Sequence, residues 1–231
     1  AKPISKLLIG IFFEDINYAA DGGLYAELVQ NRDFEYSSKD GSHQGWDGTY
    51  AWAVKEGDAS AAVTIATADP IHPNNPHYAV LEARPGVTLQ NDGFDGISLK
   101  KGEKYDFSLF ARVAPGSKEG KVVVCLLDQD GREIARSSVN VSSKEWKKQQ
   151  TVLTANADVR AAVLSLQPQT VGTLHLDMIS LFPQNTFKGH KNGLRADLAQ
   201  TLADLHPRFV RFPGGCVAHG DGIDNIYDWK G

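Results

Sequence analysis

The stretch Tyr105-Asp106-Phe107-Ser108-Leu109-Phe110 alternates apolar and polar side chains. A strand with this period presents one face to a core and the other face to water. Similar short runs recur between Tyr50 and Leu181, among them Tyr78–Ala83, and are separated by turn sequences such as Asn91-Asp92-Gly93 and Asp130-Gly131. Because no long helical pattern interrupts these runs, the sequence predicts an antiparallel β-sandwich or jelly roll.

The sandwich is expected to occupy residues 34–184, and the chain on either side has a different character. Leu7–Phe13 is a continuous apolar run, which is typical of a strand covered on both faces in a parallel sheet. Leu24–Gln30 reads as a short helix. Leucines recur at helical spacing from Leu194 to Leu205, after a plausible N-cap at Asn192-Gly193, and Arg208–Phe212 follows as a short strand. The two flanks therefore supply a strand, then a helix and a second strand.

These elements in this order form a parallel βαβ unit, which the sandwich interrupts after its first strand. Residues 1–33 and 185–231 are therefore predicted to be the first β/α units of an incomplete (β/α)8 barrel. The predicted fold class is mainly β, with a jelly-roll β-sandwich inserted into these barrel units.

The residues that follow the two barrel strands are candidates for a binding site. Glu14 comes directly after the first strand, and Gly215 and Cys216 come after the second. In such barrels the carboxyl ends of the strands carry the active site. Two plainer interpretations stay open, because Glu14 could pair with Arg211 and Cys216 could be a buried thiol.

The charge and cysteine content exclude several classes of function. The 231 residues include 24 basic and 28 acidic side chains, and a net charge of −4 gives no footprint for nucleic acid or an anionic membrane. No apolar stretch is long enough to span a bilayer.

Cys125 and Cys216 fall in different predicted domains, so no disulfide is expected, and no Cys/His spacing indicates zinc. The first residues do not form a signal peptide, although a leader removed earlier would leave the same start.

Two segments carry a family likeness. Gly10-Ile11-Phe12-Phe13-Glu14-Asp15-Ile16-Asn17-Tyr18, followed by Asp21–Arg32, resembles the opening of α-L-arabinofuranosidases of glycoside hydrolase family fifty-one. The stretch from Gly193-Leu194-Arg195 to Phe212-Pro213-Gly214-Gly215-Cys216 resembles the second barrel strand of the same family. The middle of the chain resembles carbohydrate-binding modules of families four and nine, notably at Asn31–Glu35.

The resemblance implies retaining hydrolysis, in which one carboxylic acid protonates the leaving oxygen and a second carboxylate attacks the anomeric carbon. It places both glutamates on later barrel strands, so this chain alone is expected to lack catalytic residues and to be inactive. It also implies that Glu14 hydrogen-bonds arabinofuranose, with Gly215 and Cys216 at the rim of the same subsite. The implied substrates are arabinan and arabinoxylan, and the implied location is extracytoplasmic.

The implied partner within the protein is the remainder of the catalytic barrel. Two barrel strands and one helix cannot bury their apolar faces alone. Self-association of the chain is therefore expected as well.

The sandwich has candidate ligand residues of its own. Sugar-binding modules stack sugar rings on exposed aromatic side chains, and the candidates here are Trp46, Tyr50, Trp52 and Tyr78. The same residues could fill a sandwich core, where Trp146 is expected to lie. The sandwich could accordingly bind carbohydrate, or it could be a structural or oligomerising domain without a ligand.

No cofactor is expected from the sequence. Asp177, on the closing strand, is the candidate ligand for a structural calcium ion, together with oxygens of an early loop.

Overall fold

The structure is a computed structural model, which describes residues 3–38, 45–55 and 63–219 except for the side chains of Val217 and His219. In chain order, the strands are β1 (Ile11–Phe12), β2 (Trp52–Lys55), β3 (Val63–Ala66), β4 (Tyr78–Ala83), β5 (Thr88–Asn91), β6 (Ile97–Leu99), β7 (Lys104–Val113), β8 (Gly120–Leu127), β9 (Glu133–Val141), β10 (Lys147–Thr154), β11 (Val159–Pro168), β12 (Gly172–Pro183) and β13 (Val210–Arg211). The helices are α1 (Ala196–Asp204) and two short 3-10 turns, Phe187–Gly189 and Cys216–His219.

The chain divides into two compact units. Glu27–Gln184 form the larger unit, and the smaller one joins Ala1–Ala26 to Asn185–Gly231. The sequence-based boundary lies later, after residue 33. The difference arises because the segment from Glu27 is hydrogen-bonded to strand β12, for example from the Leu28 amide to the Leu181 carbonyl at 3.0 Å.

The larger unit is a sandwich of two antiparallel sheets. One sheet has the strand order β10-β7-β12-β4-β3, and the other has the order β2-β5-β11-β8-β9, with β6 paired to β11. The alternation in β7 decides which face packs inward. Tyr105, Phe107 and Leu109 are at most 1% exposed, whereas Asp106 and Ser108 between them are only half-buried. The predicted mainly β fold with a sandwich is confirmed.

Side chains from both sheets share one apolar core. Leu81 and Leu109 contribute from the first sheet, Leu89 and Leu164 contribute from the second, and all four are fully buried. Full burial of one leucine side chain contributes about 1.5–3 kcal/mol. The sandwich therefore has a core of its own.

The smaller unit contains the predicted parallel strand pair. β1 pairs with β13 in parallel, with Phe12 opposite Arg211. Just beyond the strands, the rings of Phe13 and Phe212 stack with their centroids 5.7 Å apart. Because α1 precedes β13 in the chain, the order strand, helix, parallel strand is the one that the sequence predicts.

The predicted extent of the first strand is wrong. Of Leu7–Phe13, the ladder includes only β1, and Leu7, Leu8 and Ile9 are 67%, 68% and 61% exposed. In the described part of the chain this sheet has two strands, so neighbouring strands do not cover an apolar run of that length. A continuous hydrophobic run is therefore not sufficient to predict a buried strand.

The helices are also shorter than their patterns predict. α1 begins at Ala196, and Arg195 at its N-cap makes no capping side-chain hydrogen bond, so the cap expected at Asn192-Gly193 is not formed. Leu24–Gln30, which reads as a short helix, instead runs through turns and extended backbone. Among the described residues, no helix is long and apolar enough to cross a membrane.

An apolar groove of about 370 Å³ lies in the smaller unit between α1 and the β1–β13 pair. Its lining includes Ile11 and Phe13 from the first strand segment, Val210 and Phe212 from the second, and Leu202 from the helix. The alternation of side chains along a β-strand explains why these strand residues line the groove together, because residues two apart on a strand share a face. This face of the small sheet is thus only partly filled.

Candidate functional sites

The first candidate site lies where β1 and β13 end. The Gly215 amide donates a hydrogen bond to Oε1 of Glu14 at 3.1 Å. The backbones stay side by side past the strands, since the Asp15 amide donates to the Pro213 carbonyl at 3.1 Å. The structure therefore brings Glu14 and Gly215 together, although 200 residues separate them in sequence (215 − 14 − 1).

The space beside the Glu14 carboxylate depends on Gly215. A Cβ atom placed on residue 215 would lie 3.6 Å from Oε1 of Glu14 and 3.5 Å from the ring of Phe12. These are ordinary contact distances, so a Cβ atom would fit here and would occupy space next to the carboxylate. The glycine leaves room next to a hydrogen-bond acceptor.

The alternative ion pair between Glu14 and Arg211 is not formed among the described residues. The Arg211 guanidinium instead lies over the ring of Phe12, 4.6 Å from its centroid. A cation over an aromatic face is a favourable arrangement that orients the arginine. Arg211 therefore packs on its own sheet and does not neutralise Glu14 directly.

The two cysteines are free and differ in exposure. Cys216 is exposed at the start of its 3-10 turn, so the interpretation of Cys216 as a buried thiol is wrong. Cys125 is fully buried in β8, and burial, helped by the Glu133 carboxylate, raises the pKa of its thiol to about 11. Only Cys216 is placed to meet a ligand.

Two of the four predicted stacking residues are buried, Trp52 in the sandwich core and Tyr78 against Arg112 and Trp146 on the outer face of the first sheet. Trp52 is 7% exposed, and its Nε1 donates to the Asn31 carbonyl at 2.8 Å. Tyr78 is 2% exposed, and its hydroxyl donates to the Ala68 carbonyl at 2.7 Å. Neither side chain has a ring face open to a sugar, so the stacking prediction is wrong for both. Their burial depends on strand pairing, which the sequence does not reveal.

The other two candidates lie in a half-exposed cluster with a third ring. Trp46 stacks on Tyr36 with 4.1 Å between centroids, and Tyr50 lies 6.1 Å from Tyr36 and 5.7 Å from Trp46. All three side chains are of intermediate exposure. We call Tyr36, Trp46 and Tyr50 the aromatic cluster. Sequence reasoning missed Tyr36, although it shares the aromatic character of the other two.

Trp146 is not the core residue that the sequence predicts. It is half-buried, and its ring lies over the guanidinium of Arg112 at 4.5 Å. Its Nε1 donates to the Asp69 carbonyl at 3.0 Å, and Arg112 also donates to Nδ1 of His175 at 3.0 Å. Burial and the nearby Arg112 charge lower the pKa of His175. This set fastens the loop at Asp69 to the outer face of the first sheet.

Asp177, the candidate calcium ligand, is fully buried. Its carboxylate accepts hydrogen bonds from the Met178 amide at 2.7 Å and from Nδ2 of Asn75 at 3.0 Å. Burial raises the pKa of Asp177 to about 7, and the nearby carboxylates of Asp33 and Glu35 act in the same direction. Within the described ranges, no group of three or more His, Cys, Asp or Glu side chains is arranged to hold a metal ion. The calcium site stays a prediction.

Glu27 is a buried carboxylate that the sequence analysis did not single out. It is 1% exposed and accepts hydrogen bonds from the amides of Leu181 at 2.8 Å and Val29 at 3.1 Å, and from the hydroxyl of Ser180. Burial raises its pKa. Because Ser180 and Leu181 belong to β12, these hydrogen bonds connect Glu27, the first residue of the larger unit, to the last strand of the sandwich.

The two packed antiparallel sheets with a shared core define a β-sandwich module. Comparison with known families agrees with this class, since residues 26–173 match the family described as carbohydrate binding domain. The chain belongs to this carbohydrate-binding domain family.

Relatives that match nearly the whole chain carry arabinofuranosidase names. The chain is 40% identical to "Extracellular exo-alpha-L-arabinofuranosidase" of Streptomyces chartreusis over 98% of its length, and 33% identical to "Alpha-L-arabinofuranosidase 1" of Arabidopsis thaliana over 99%. It spans 27% and 34% of the lengths of these two relatives.

A solved structure resembles the chain in the same way. It is the arabinose-bound GH51 α-L-arabinofuranosidase MgGH51, with a TM-score of 0.82 and 32% sequence identity. The match covers 95% of this chain and 36% of that protein. The likeness therefore extends over both units, and the resemblance to arabinofuranosidases of family fifty-one is confirmed.

Proposed function

We propose that this chain is the N-terminal part of an α-L-arabinofuranosidase that releases terminal arabinofuranose from arabinan or arabinoxylan by retaining hydrolysis. The observation that carries this proposal is the meeting of Glu14 and Gly215 at the carboxyl ends of two parallel strands. The relatives with arabinofuranosidase names support it across both units. The extracellular relative also supports an extracytoplasmic location.

In this proposal Glu14 binds the sugar and does not attack it. One carboxylate oxygen accepts the Gly215 amide, which fixes the orientation of the group. A carboxylate so held is a strong acceptor for sugar hydroxyls, because a charged acceptor forms stronger hydrogen bonds than a neutral one. Cys216, which is exposed and follows Gly215 in the chain, contributes shape to the rim.

Hydrolysis requires two further carboxyl groups about 5–5.5 Å apart. The family resemblance assigns both glutamates to later barrel strands, which the 231 residues do not include. We therefore expect the 231-residue polypeptide to be inactive alone, with its substrate site completed by the rest of the barrel.

The test compares this polypeptide with the same protein extended through a complete barrel, using an aryl α-L-arabinofuranoside. Only the extended protein should release arabinose. In that protein Glu14→Gln should lower kcat/KM about 10–100-fold, because one charge-assisted hydrogen bond is lost. Glu119→Gln, at an exposed sandwich position, is the matched control and should leave activity unchanged. Turnover by the 231-residue polypeptide, or full activity of the Glu14 variant, would contradict the proposal.

A second function is favoured by the family of the sandwich. Members are described as carbohydrate-binding domains, and Trp46 and Tyr50 are the two predicted stacking residues that are only half-buried. We propose that the sandwich binds the polysaccharide substrate. Affinity electrophoresis in gels with arabinoxylan or arabinan tests this, and migration unchanged by both polysaccharides would favour a purely structural sandwich.

A further inference from the structure

The turn before helix α1 contains Asn192-Gly193, the one asparagine–glycine pair in the sequence. Asn192 is exposed, and its φ of 51° lies in the left-handed region, which asparagine tolerates better than most residues. In the described part of the chain, the Asn192 side chain makes no hydrogen bond and the Gly193 amide donates none. Two groups that can react with each other therefore lie side by side in a solvent-exposed turn.

The reaction between these two groups needs no catalyst. The Gly193 backbone nitrogen attacks Cγ of Asn192 and the side-chain amide leaves as ammonia, which also carries away the proton of the attacking nitrogen. The product is a five-membered succinimide ring, and water opens this ring at either of its two carbonyls. One opening gives aspartate, and the other gives isoaspartate, in which the backbone runs through the former side chain. Glycine favours the attack because no Cβ atom shields its nitrogen or restricts rotation of its backbone.

The charges around the turn favour the same step. Residues 185–196 contain Lys188, Lys191 and Arg195 and no acidic residue. Arg195 is paired with Asp197 at 2.7 Å, whereas both lysines are exposed. Because the attacking nitrogen must give up its proton, nearby positive charge stabilises the anion that attacks. The two lysines therefore make the Asn192 side chain more prone to react.

The turn also holds residues 24–26 in place. The Gly193 carbonyl accepts the Ala26 amide at 3.2 Å, and the Arg195 amide donates to the Leu24 carbonyl at 2.9 Å. Isoaspartate at position 192 would add one carbon atom to the backbone directly before Gly193. The Gly193 carbonyl would then move away from its hydrogen-bond partner, so conversion would weaken this pairing.

We propose that Asn192-Gly193 is a site of spontaneous deamidation, and that its isoaspartate product loosens the pairing between the turn and residues 24–26. The reaction needs only water, so the proposal does not depend on either proposed function. Each converted molecule also gains one negative charge, next to the exposed Lys191. The smaller unit would therefore change in both charge and backbone pairing as the protein ages.

The test is ageing of the 231-residue protein in mildly alkaline buffer, followed by peptide mapping with mass spectrometry. We expect Asn192 to convert at least about tenfold faster than Asn140, which is equally classed as exposed but lies in strand β9 before β-branched Val141. The product at position 192 should contain isoaspartate as well as aspartate, because the ring opens at both carbonyls. Asn192→Gly is the matched control, since glycine suits the positive φ and carries no reactive amide.

Hydrogen exchange measures the structural consequence. In aged protein the Ala26 amide should exchange roughly fivefold faster than in fresh protein, as expected for the loss of one backbone hydrogen bond. The amide of Leu109, in strand β7 of the sandwich, should exchange at an unchanged rate. Asn192→Gly should show the same Ala26 exchange before and after ageing.

Each part of the proposal has an outcome that would overturn it. Conversion of Asn192 no faster than that of Asn140 would overturn the site. Aspartate formed without isoaspartate would overturn the succinimide route, because direct hydrolysis gives aspartate alone. Isoaspartate at position 192 with unchanged exchange of the Ala26 amide would overturn the effect on the pairing.

Discussion

The two units of the chain use apolar sequence in opposite ways. In β7 of the sandwich every second residue is apolar, and the inward side chains from Tyr105 to Leu109 are almost fully buried. In the smaller unit, Leu7–Phe13 is apolar without interruption, yet Leu8 is 68% exposed and Phe12 is 53% exposed. An alternating strand needs a partner on one face, whereas a continuous apolar strand needs partners on both. The sandwich covers the one apolar face of β7, whereas a sheet of two strands does not cover both faces of Leu7–Phe13.

The largest effect should come from matched phenylalanine substitutions in the two units. Phe107→Ala removes a ring that is 1% exposed and should lower the free energy of unfolding by about 3–5 kcal/mol. Phe12→Ala removes a half-exposed ring and should cost less than about 1 kcal/mol. Urea denaturation measures both. Similar losses of unfolding free energy in the two variants would contradict the contrast between the buried core of the sandwich and the exposed apolar surface of the smaller unit.

Asp177 should make the stability of the sandwich depend on pH. Its pKa is about 7 in the folded protein against 3.8 for an ordinary aspartate. Its folded state therefore binds the proton more tightly, so its contribution is fully present below pH 3.8 and is lost as pH rises towards 7. The loss amounts to at most about 4 kcal/mol.

The Asp177→Asn variant should accordingly show a flatter unfolding free energy than the parent protein between pH 4 and pH 7. Asp130→Asn, whose side chain is 78% exposed in the parent, should keep the parent slope. If calcium binds at Asp177, adding calcium should reduce the parent slope, because the cation favours the charged carboxylate. A slope that persists unchanged in Asp177→Asn would show that another group causes it.

Asn31→Ala should have an intermediate effect, confined to the sandwich. It removes side-chain hydrogen bonds to Gly48, Tyr50 and Tyr36 and places alanine at positive φ, so we expect a loss of roughly 2–3 kcal/mol. The near-ultraviolet circular dichroism of the stacked rings should weaken as well. Exposed Asn140→Ala is the control. An unchanged aromatic signal would show that the rings are held by other contacts.

The smallest effect should be weak self-association through the smaller unit. Its groove and the exposed Leu8 and Val210 leave apolar surface open, which favours association. Light scattering should show a mass that rises with protein concentration, and the double variant Leu8→Ser, Val210→Ser should remain closer to monomeric. A concentration-independent monomer would contradict this expectation.

Local patterns predicted the sandwich well and the environment of single aromatic residues poorly. Strand β4, Tyr78–Ala83, was predicted with its observed bounds because its flanking turns are explicit in the sequence. Strand β5, Thr88–Asn91, was missed because its Thr-Leu-Gln-Asn sequence has one apolar residue and gains its place by pairing with β2 and β11.

In the candidate sites, the sequence predicted contacts between residues far apart in the chain only where the pairing of parallel strands brings them together. Glu14 and Gly215 meet because parallel strands end at the same edge. Whether Trp52 or Trp46 is buried depends on strand register and on the contacts of Asn31, which are not local properties. Sequence reasoning could list the aromatic side chains but could not sort them into core and surface.

The contrast between the two thiols has a practical consequence. At neutral pH Cys125 stays protonated and buried, whereas Cys216 is exposed to solvent and directly follows Gly215, whose amide donates a hydrogen bond to Glu14. A maleimide fluorophore added to the native protein should therefore label one position, without any engineered cysteine. Its emission would report directly on what enters or leaves the rim at the end of β13.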